Sequence, residues 1–139
     1  MDINFLIQSL IAIIMFISVV LIYLTLRNNR DLNQKILFNE VVRQERELRI
    51  KLSEYKEKMQ TKNNKKLSLD YDTLLFNYYE YLSICLYKKL INENVAKLYF
   101  KNLLVSVKSL FDNSILFKEN YSKKEDYKGI LWLFRYWEI

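Results

Sequence analysis

The sequence predicts an all-α protein with an N-terminal transmembrane helix, a long basic juxtamembrane helix and a small aromatic-rich three-helix domain. Two observations indicate this class. The 139 residues include no proline and one glycine, and sheets draw on both residue types for their turns. Residues 3–26 carry no charged side chain, as is typical of a membrane span. The predicted parts are the span (1–26), the juxtamembrane helix (27–60), a polar hinge (61–67) and the domain (68–139).

The uncharged run is long enough to cross a bilayer. As a helix it reaches roughly 36 Å, against a hydrocarbon core of roughly 30 Å. A cleaved signal peptide is the alternative, and it requires a basic start and a small-residue cleavage site. The chain begins Met1-Asp2, and Thr25-Leu26-Arg27 offers no such site. We therefore expect a single-pass membrane protein.

Charge predicts the orientation of that span. Basic residues follow the run closely, whereas only Asp2 precedes it. Because Lys and Arg stay on the cytoplasmic side, residues 27–139 are expected in the cytoplasm of a bacterial inner membrane. The single cysteine, Cys85, agrees with a reducing compartment. Residues 27–66 hold twelve Lys and Arg against six Asp and Glu, which predicts contact with lipid head groups rather than nucleic acid. The expected head-group contacts are Arg27, Arg30 and Lys35.

A polar stripe runs along one face of the predicted span. Its members recur at alternating spacings of four and three residues, which places them on one line of a helix. Polar groups in lipid usually face another helix or a water-filled lumen. The stripe predicts either helix association or a pore, unless its ends merely reach the membrane surfaces. It comprises Asn4, Gln8, Ile11, Met15, Ser18, Ile22 and Thr25.

The juxtamembrane helix carries an apolar seam. Positions at the same alternating spacing extend over three heptads, with one charge among them. The seam either pairs with a second copy or packs on the domain that follows. Its members are Phe38, Val41, Glu45, Leu48, Leu52, Tyr55 and Met59. As a subunit interface we predict Leu48, Leu52 and Tyr55, together with Trp132 and Trp137.

Capping signals divide the domain into three helices. The first is predicted from Ser68 or Asp70 to about Leu90, and the second follows Asn92 and ends near Phe111. The second helix is expected to bury Val95, Tyr99, Leu103, Val107 and Leu110. A short helical turn is predicted at residues 115–117. A capping box of Ser122 and Glu125 is expected to open the last helix.

The chain lacks the side chains that most enzymes use. There is no histidine, one cysteine and no glycine-rich phosphate loop. We therefore predict no catalytic residue, no metal site, no cofactor and no enzymatic activity. Cys85 is expected to be a core thiol. Glu80 lies within an apolar stretch and is expected to bond a tyrosine hydroxyl or to pair with Arg135.

Short motifs in the domain follow one another in a recognisable order. They are Asn77-Tyr78 with Glu80, then Ile91-Asn92-Glu93, then Tyr99-Phe100, and a closing Arg135-Tyr136-Trp137-Glu138. With these motifs the chain resembles a helical domain of unknown function found in small bacterial single-pass membrane proteins. Its layout is also similar to the CRISPR-associated membrane proteins that accompany the type VI-B RNA-guided ribonuclease. That resemblance implies assembly into a membrane pore; it also implies a HEPN-like domain, whose Arg and His pair this chain lacks.

Two functions follow from these features. The first is an oligomeric inner-membrane effector that perturbs the membrane or forms a pore, in phage defence. The alternative is a non-enzymatic anchor or stalk that holds a cytoplasmic partner at the membrane. The expected partners are the lipid bilayer, further copies of the chain and a cytoplasmic protein.

Overall fold

The computed structural model describes residues 3–61 and 64–139, and the side chains within these ranges except those of residues 3–7 and 9. Every element in this part of the chain is helical, which confirms the all-α class. The elements are α1 (Ile3–Thr61), α2 (Lys65–Tyr87), α3 (Glu93–Asn113), α4 (Ile115–Lys118), a 3-10 turn (Lys124–Asp126) and α5 (Lys128–Tyr136).

Helix α1 runs unbroken through the predicted span and the juxtamembrane segment. Its 59 residues correspond to about 88 Å at 1.5 Å per residue. No glycine or proline interrupts it, so no residue forces a kink. None of its apolar stretch is buried against the rest of the protein. A core helix of a soluble protein would be covered, so this exposure is compatible with a single membrane span.

The second half of α1 packs on α2 through the predicted seam. Val41, Leu48 and Leu52 are buried there, and the Tyr78 hydroxyl donates a hydrogen bond of 2.8 Å to the Val41 carbonyl oxygen. Glu45 is also buried, and the Arg49 guanidinium donates to its carboxylate. Of the two partners that the sequence allowed for this seam, the structure shows the chain's own domain.

Helix α2 is the centre of the domain, since it contacts α1, α3, α4 and α5. It begins earlier than predicted. Asn64 caps it by accepting a 3.0 Å hydrogen bond from the Lys66 amide, so the predicted cap at Ser68 or Asp70 was wrong. The two lysines after Asn64 have good helix propensity and continue the helix. Of the predicted hinge, residue 61 ends α1 and residues 65–67 belong to α2; residues 62 and 63 lie outside the described part.

Helix α3 has the predicted cap but a different buried face. The Asn92 side chain accepts from the Val95 amide at 3.2 Å, which confirms the cap. The predicted face was wrong in part. Val107 is buried as predicted and Leu103 is partly buried, whereas Val95, Tyr99 and Leu110 are exposed; Ala96, Phe100 and Leu104 are fully buried instead. Two apolar stripes lie side by side on this helix. The Phe38 ring of α1 lies at the border between them, 6.3 Å from Tyr99 and 6.4 Å from Phe100.

The connection after α3 is held by an aromatic cluster. The short helix α4 confirms the helical turn that was predicted at residues 115–117. The capping box was wrong in detail, because Asp126 rather than Glu125 accepts the Lys123 amide, at 3.0 Å. Ser122 still takes part through its hydroxyl, which lies 3.2 Å from the Asp126 carboxylate. The cluster consists of Phe76, Phe111, Phe117, Tyr127 and Phe134.

Glu80 fastens the start of α5 to α2. Its two carboxylate oxygens accept the amides of Gly129 and Ile130, each at 2.9 Å. A carboxylate suits the positive end of a helix, where free amides point outward. The expected pairing with Arg135 was wrong, because the Arg135 guanidinium bonds the Leu131 carbonyl within its own helix.

Gly129 is required by this close approach. A Cβ at this position would lie 1.9 Å from the Ser83 hydroxyl oxygen and 2.8 Å from the Glu80 carboxylate. Ser83 is fully buried and cannot easily move aside. The one glycine of the chain therefore lets α5 contact α2 directly.

We expect Gly129→Ala to lower the free energy of unfolding of the domain by about 1–3 kcal/mol, as overpacking usually does. Helix propensity alone predicts the opposite sign, with alanine stabilising α5 by about 1 kcal/mol. Thermal unfolding of the full chain in detergent, followed by circular dichroism, measures the sign. Ser83→Ala removes the nearest atom, so in that background the cost should shrink. A Gly129→Ala variant that melts higher than the parent contradicts the packing argument.

Candidate functional site

The turn between α2 and α3 lies beside the first charged residues of α1. The Gln34 side-chain amide donates a 3.0 Å hydrogen bond to the Lys89 carbonyl oxygen. Gln34 stands eight residues beyond Leu26, the last residue of the apolar run, which is about 12 Å along the helix. One end of the domain therefore lies close to the end of the apolar stretch. We call it the juxtamembrane end.

The backbone of this turn is well defined. The Leu90 amide donates to the Cys85 carbonyl oxygen and the Lys89 amide to that of Leu86, both at 2.9 Å. These two bonds form a Schellman motif, and Lys89 takes the left-handed conformation that it requires, with φ 54°. The motif ends α2 three residues before the predicted end and turns Lys88, Lys89 and Leu90 outward, where all three are exposed.

A groove of about 520 Å³ opens at the juxtamembrane end. Three separate parts of the chain form it: the start of the charged half of α1, the α2–α3 turn and the outer side of α5. We call it the α1–α5 groove. Its lining includes Arg30, Gln34, Tyr87, Lys89, Asn92, Glu93, Trp132 and Tyr136.

Three aromatic rings line one wall of the groove. The rings of Tyr87 and Trp132 meet edge to face at 5.6 Å, and Trp132 stacks on Tyr136 at 4.8 Å. Tyr87 is 70% exposed and Tyr136 is 50% exposed. The Tyr136 hydroxyl donates a 3.0 Å hydrogen bond to the Glu93 carboxylate, which raises the pKa of Tyr136. Aromatic side chains with this exposure are unusual outside interfaces.

Positive charge lines the groove and continues in its neighbours along the chain. Arg30 and Lys89 line the groove, and Glu93 is the carboxylate in its lining. Arg27, Lys35 and Lys88 lie within five residues of these two cations in sequence, as does the acidic Asp31, and all five cations are exposed. An arrangement of exposed aromatic rings among lysines and arginines suits the polar surface of a membrane.

The polar stripe of the span lies on the exposed surface of α1. The Ser18 hydroxyl donates to the Ile14 carbonyl oxygen at 2.8 Å, and the Thr25 hydroxyl donates to that of Leu21 at 2.9 Å. These two side chains are thus satisfied within their own helix and do not need a partner to enter lipid. Gln8, Ile11, Met15 and Ile22 are exposed; the side chain of Asn4 lies outside the described part.

The side chains predicted at a subunit interface are mostly inside one chain. Leu48, Leu52 and Trp137 are buried, and Trp137 has no exposed surface at all. In this fold these three side chains pack inside their own chain, and their role at a subunit interface stays a prediction. Tyr55 and Trp132 are partly exposed. An apolar stripe has the same sequence pattern whether its own chain or another chain covers it.

The buried titratable groups of the domain are structural. Burial raises the pKa of the Cys85 thiol, and the same cause raises the pKa of Asp72, although the Ser114 hydroxyl donates to its carboxylate. A thiol with a raised pKa is a poor nucleophile near neutral pH. Burial likewise raises the pKa of Tyr78 and of Tyr79.

Sequence reasoning identified Arg30 but missed most of the groove. Gln34, Tyr87 and Tyr136 were given no role, because they come from segments up to about 100 residues apart. The available signal was the pair of lysines at the predicted end of a helix, followed by an apolar Leu90 in an exposed turn.

No protein-family model, curated protein or solved structure matches the sequence.

The two tryptophans should differ in their effect on stability. Trp137→Ala is expected to cost about 3–5 kcal/mol, because it empties a fully buried site. Trp132→Ala should cost less, roughly 1–2 kcal/mol, since its neighbours Tyr87 and Tyr136 are themselves exposed. Denaturant unfolding of each variant in detergent measures both values. The reverse order, with Trp132 the more costly, contradicts the packing described here.

Proposed function

We propose that this chain is a single-pass membrane protein that anchors a cytoplasmic partner, and that it holds its helical domain against the inner face of a bacterial membrane. One observation carries the proposal: a single helix contains both the apolar stretch and the seam of the domain. Because α1 is unbroken, the position of the span determines the position of the domain. A flexible linker between the span and the domain would not fix the position of the domain relative to the membrane.

The distribution of exposed side chains supports the same arrangement. The described side chains of the apolar stretch of α1 are exposed, whereas the half that follows carries the charges and is buried only along its seam. The first half suits lipid, and the second suits water on one side and a protein core on the other. The basic excess after the span supports a cytoplasmic domain.

Helix α3 offers a surface for a protein partner. Part of the stripe that the sequence placed in the core is exposed, and Leu98 beside it is 87% exposed. Val95, Val105 and Leu110 are also exposed along this helix. Apolar side chains left uncovered along one helix are typical of an interaction surface. An anchor that binds a protein partner is the function that this surface supports.

A reporter fused after Ile139 tests the anchor and its orientation together. An enzyme active only in the cytoplasm should be active in that fusion and should sediment with membranes. A variant with Arg27, Arg30 and Lys35 all changed to Gln is the control, and it should lose part of the orientation bias. A parent fusion that sediments with membranes but is inactive contradicts the topology, and a fully soluble fusion contradicts the anchor.

A second function, an oligomeric membrane-perturbing effector in phage defence, is supported by the polar stripe of the span. The described members of the stripe are exposed, so they can contact the spans of other copies. The resemblance to the CRISPR-associated pore proteins agrees with this proposal. In that assembly the span, rather than the seam leucines, would join the copies.

Depolarisation of cells that express the chain tests this second function. If Gln8 faces a water-filled lumen, Gln8→Leu with Ser18→Leu should abolish leakage, because an apolar constriction dewets. The mass of the assembly in detergent should stay the same. Ser9→Leu, off the stripe, is the matched control and should still leak. An expressing cell that keeps its membrane potential under every inducing condition rules out the pore and leaves the anchor.

A further inference from the structure

We propose that the α1–α5 groove binds the phosphate of an anionic phospholipid in the cytoplasmic leaflet. The inference deepens the proposed function and rests on it, because the groove meets lipid only if α1 spans the membrane. The proposed lipid site lies between the domain and the charged half of α1, outside the apolar run. The lipid phosphate lies between Arg30 and Lys89, and the rings of Tyr87, Trp132 and Tyr136 lie at the level of the head groups.

Depth along α1 is the first argument. The apolar run ends at Leu26, and Arg30 follows four residues later, which is about 6 Å along a helix. Head groups occupy about 5–8 Å on each side of the hydrocarbon core. Arg30 therefore lies at the level of the phosphates. Gln34, one turn further on and about 12 Å from Leu26, holds the α2–α3 turn against α1 just below that layer.

Charge is the second argument. Arg30 and Lys89 come from different elements but line the same groove. Two cations from separate elements suit a phosphate, which accepts hydrogen bonds from several directions. Glu93 is the one carboxylate in the lining, and its hydrogen bond from Tyr136 holds it on the aromatic wall. The surrounding lysines and arginines favour a lipid with net negative charge over a zwitterionic one.

The aromatic wall is the third argument. Tyr87, Trp132 and Tyr136 are in contact with one another, and each presents surface outward. Tyr and Trp are enriched at membrane surfaces, where the ring is sheltered and the polar atom stays wet. In water alone, three such rings would leave apolar surface uncovered. Head groups and the upper parts of the acyl chains cover it without any other protein.

Brominated lipids test the site through the fluorescence of Trp132. The full chain is reconstituted into nanodiscs that contain equal amounts of phosphatidylglycerol and phosphatidylcholine. In one sample the phosphatidylglycerol is brominated near the top of its acyl chains, and in the other the phosphatidylcholine is. We expect the brominated phosphatidylglycerol to quench Trp132 several-fold more strongly. Trp137 is fully buried, so its fluorescence should be a constant background. The Trp132→Phe variant keeps Trp137 as its one tryptophan and measures that background.

Variants of the two cations complete the test. Each basic side chain near a membrane contributes about fivefold to the preference for anionic lipid. Arg30→Gln with Lys89→Gln should therefore lower the preference for the brominated phosphatidylglycerol several-fold, to the level that Arg27, Lys35 and Lys88 maintain. The matched control is Lys51→Gln, an exposed lysine far along α1, which should keep the preference.

The outcomes separate this inference from the proposed function. Equal quenching by the two lipids in the parent chain, or none by either, overturns the lipid site while the chain remains in the nanodisc. A preference that is unchanged after the loss of both cations overturns the assigned residues. A chain that does not float with the lipid at all overturns the membrane anchor instead.

Discussion

The continuity of α1 is the constraint on which the rest of the structure depends. One helix has two environments, an apolar half whose described side chains are exposed and a charged half whose seam is covered by α2. A helix of this length without Gly or Pro transmits position from one half to the other. The seam then fixes which side of α1 the domain occupies, and the Gln34–Lys89 bond marks how near the span that domain begins. The juxtamembrane end, its groove and its charges follow from those two facts.

Inside the domain, α2 plays the matching role, since it contacts α1, α3, α4 and α5. The contacts of α2 with α1 and with α5 are of different kinds. Toward α1 the contact is a strip of buried leucines with the Tyr78 hydroxyl bonded to the α1 backbone. Toward α5 it is a carboxylate on a helix end, at a distance that only Gly129 permits. The second contact is more specific, because it depends on a single residue without a side chain, and it places Trp132 and Tyr136 at the groove.

The sequence was sufficient for features that depend on local spacing. The length of the uncharged run, the seam of α1, the Asn92 cap and the helical turn at residues 115–117 all follow from neighbouring residues. The face of α3 did not, because Val95-Tyr99-Leu103 and Ala96-Phe100-Leu104 are both apolar stripes and only the neighbouring helices decide between them. The role of Glu80 was missed for a similar reason: its partners are backbone amides 49 and 50 residues away. Side chains from distant segments formed the groove, so no local pattern could reveal it.

Whether α1 is one rigid helix from the span into the domain is the most direct test of this account. Spin labels at Leu24→Cys and Glu54→Cys, in a Cys85→Ala background and in lipid nanodiscs, lie thirty residues apart on that helix. An unbroken α1 places their backbone positions about 45 Å apart, and pulsed electron resonance should show a narrow distribution near that distance. A broad distribution centred well below 45 Å shows a hinge between span and domain and contradicts the account.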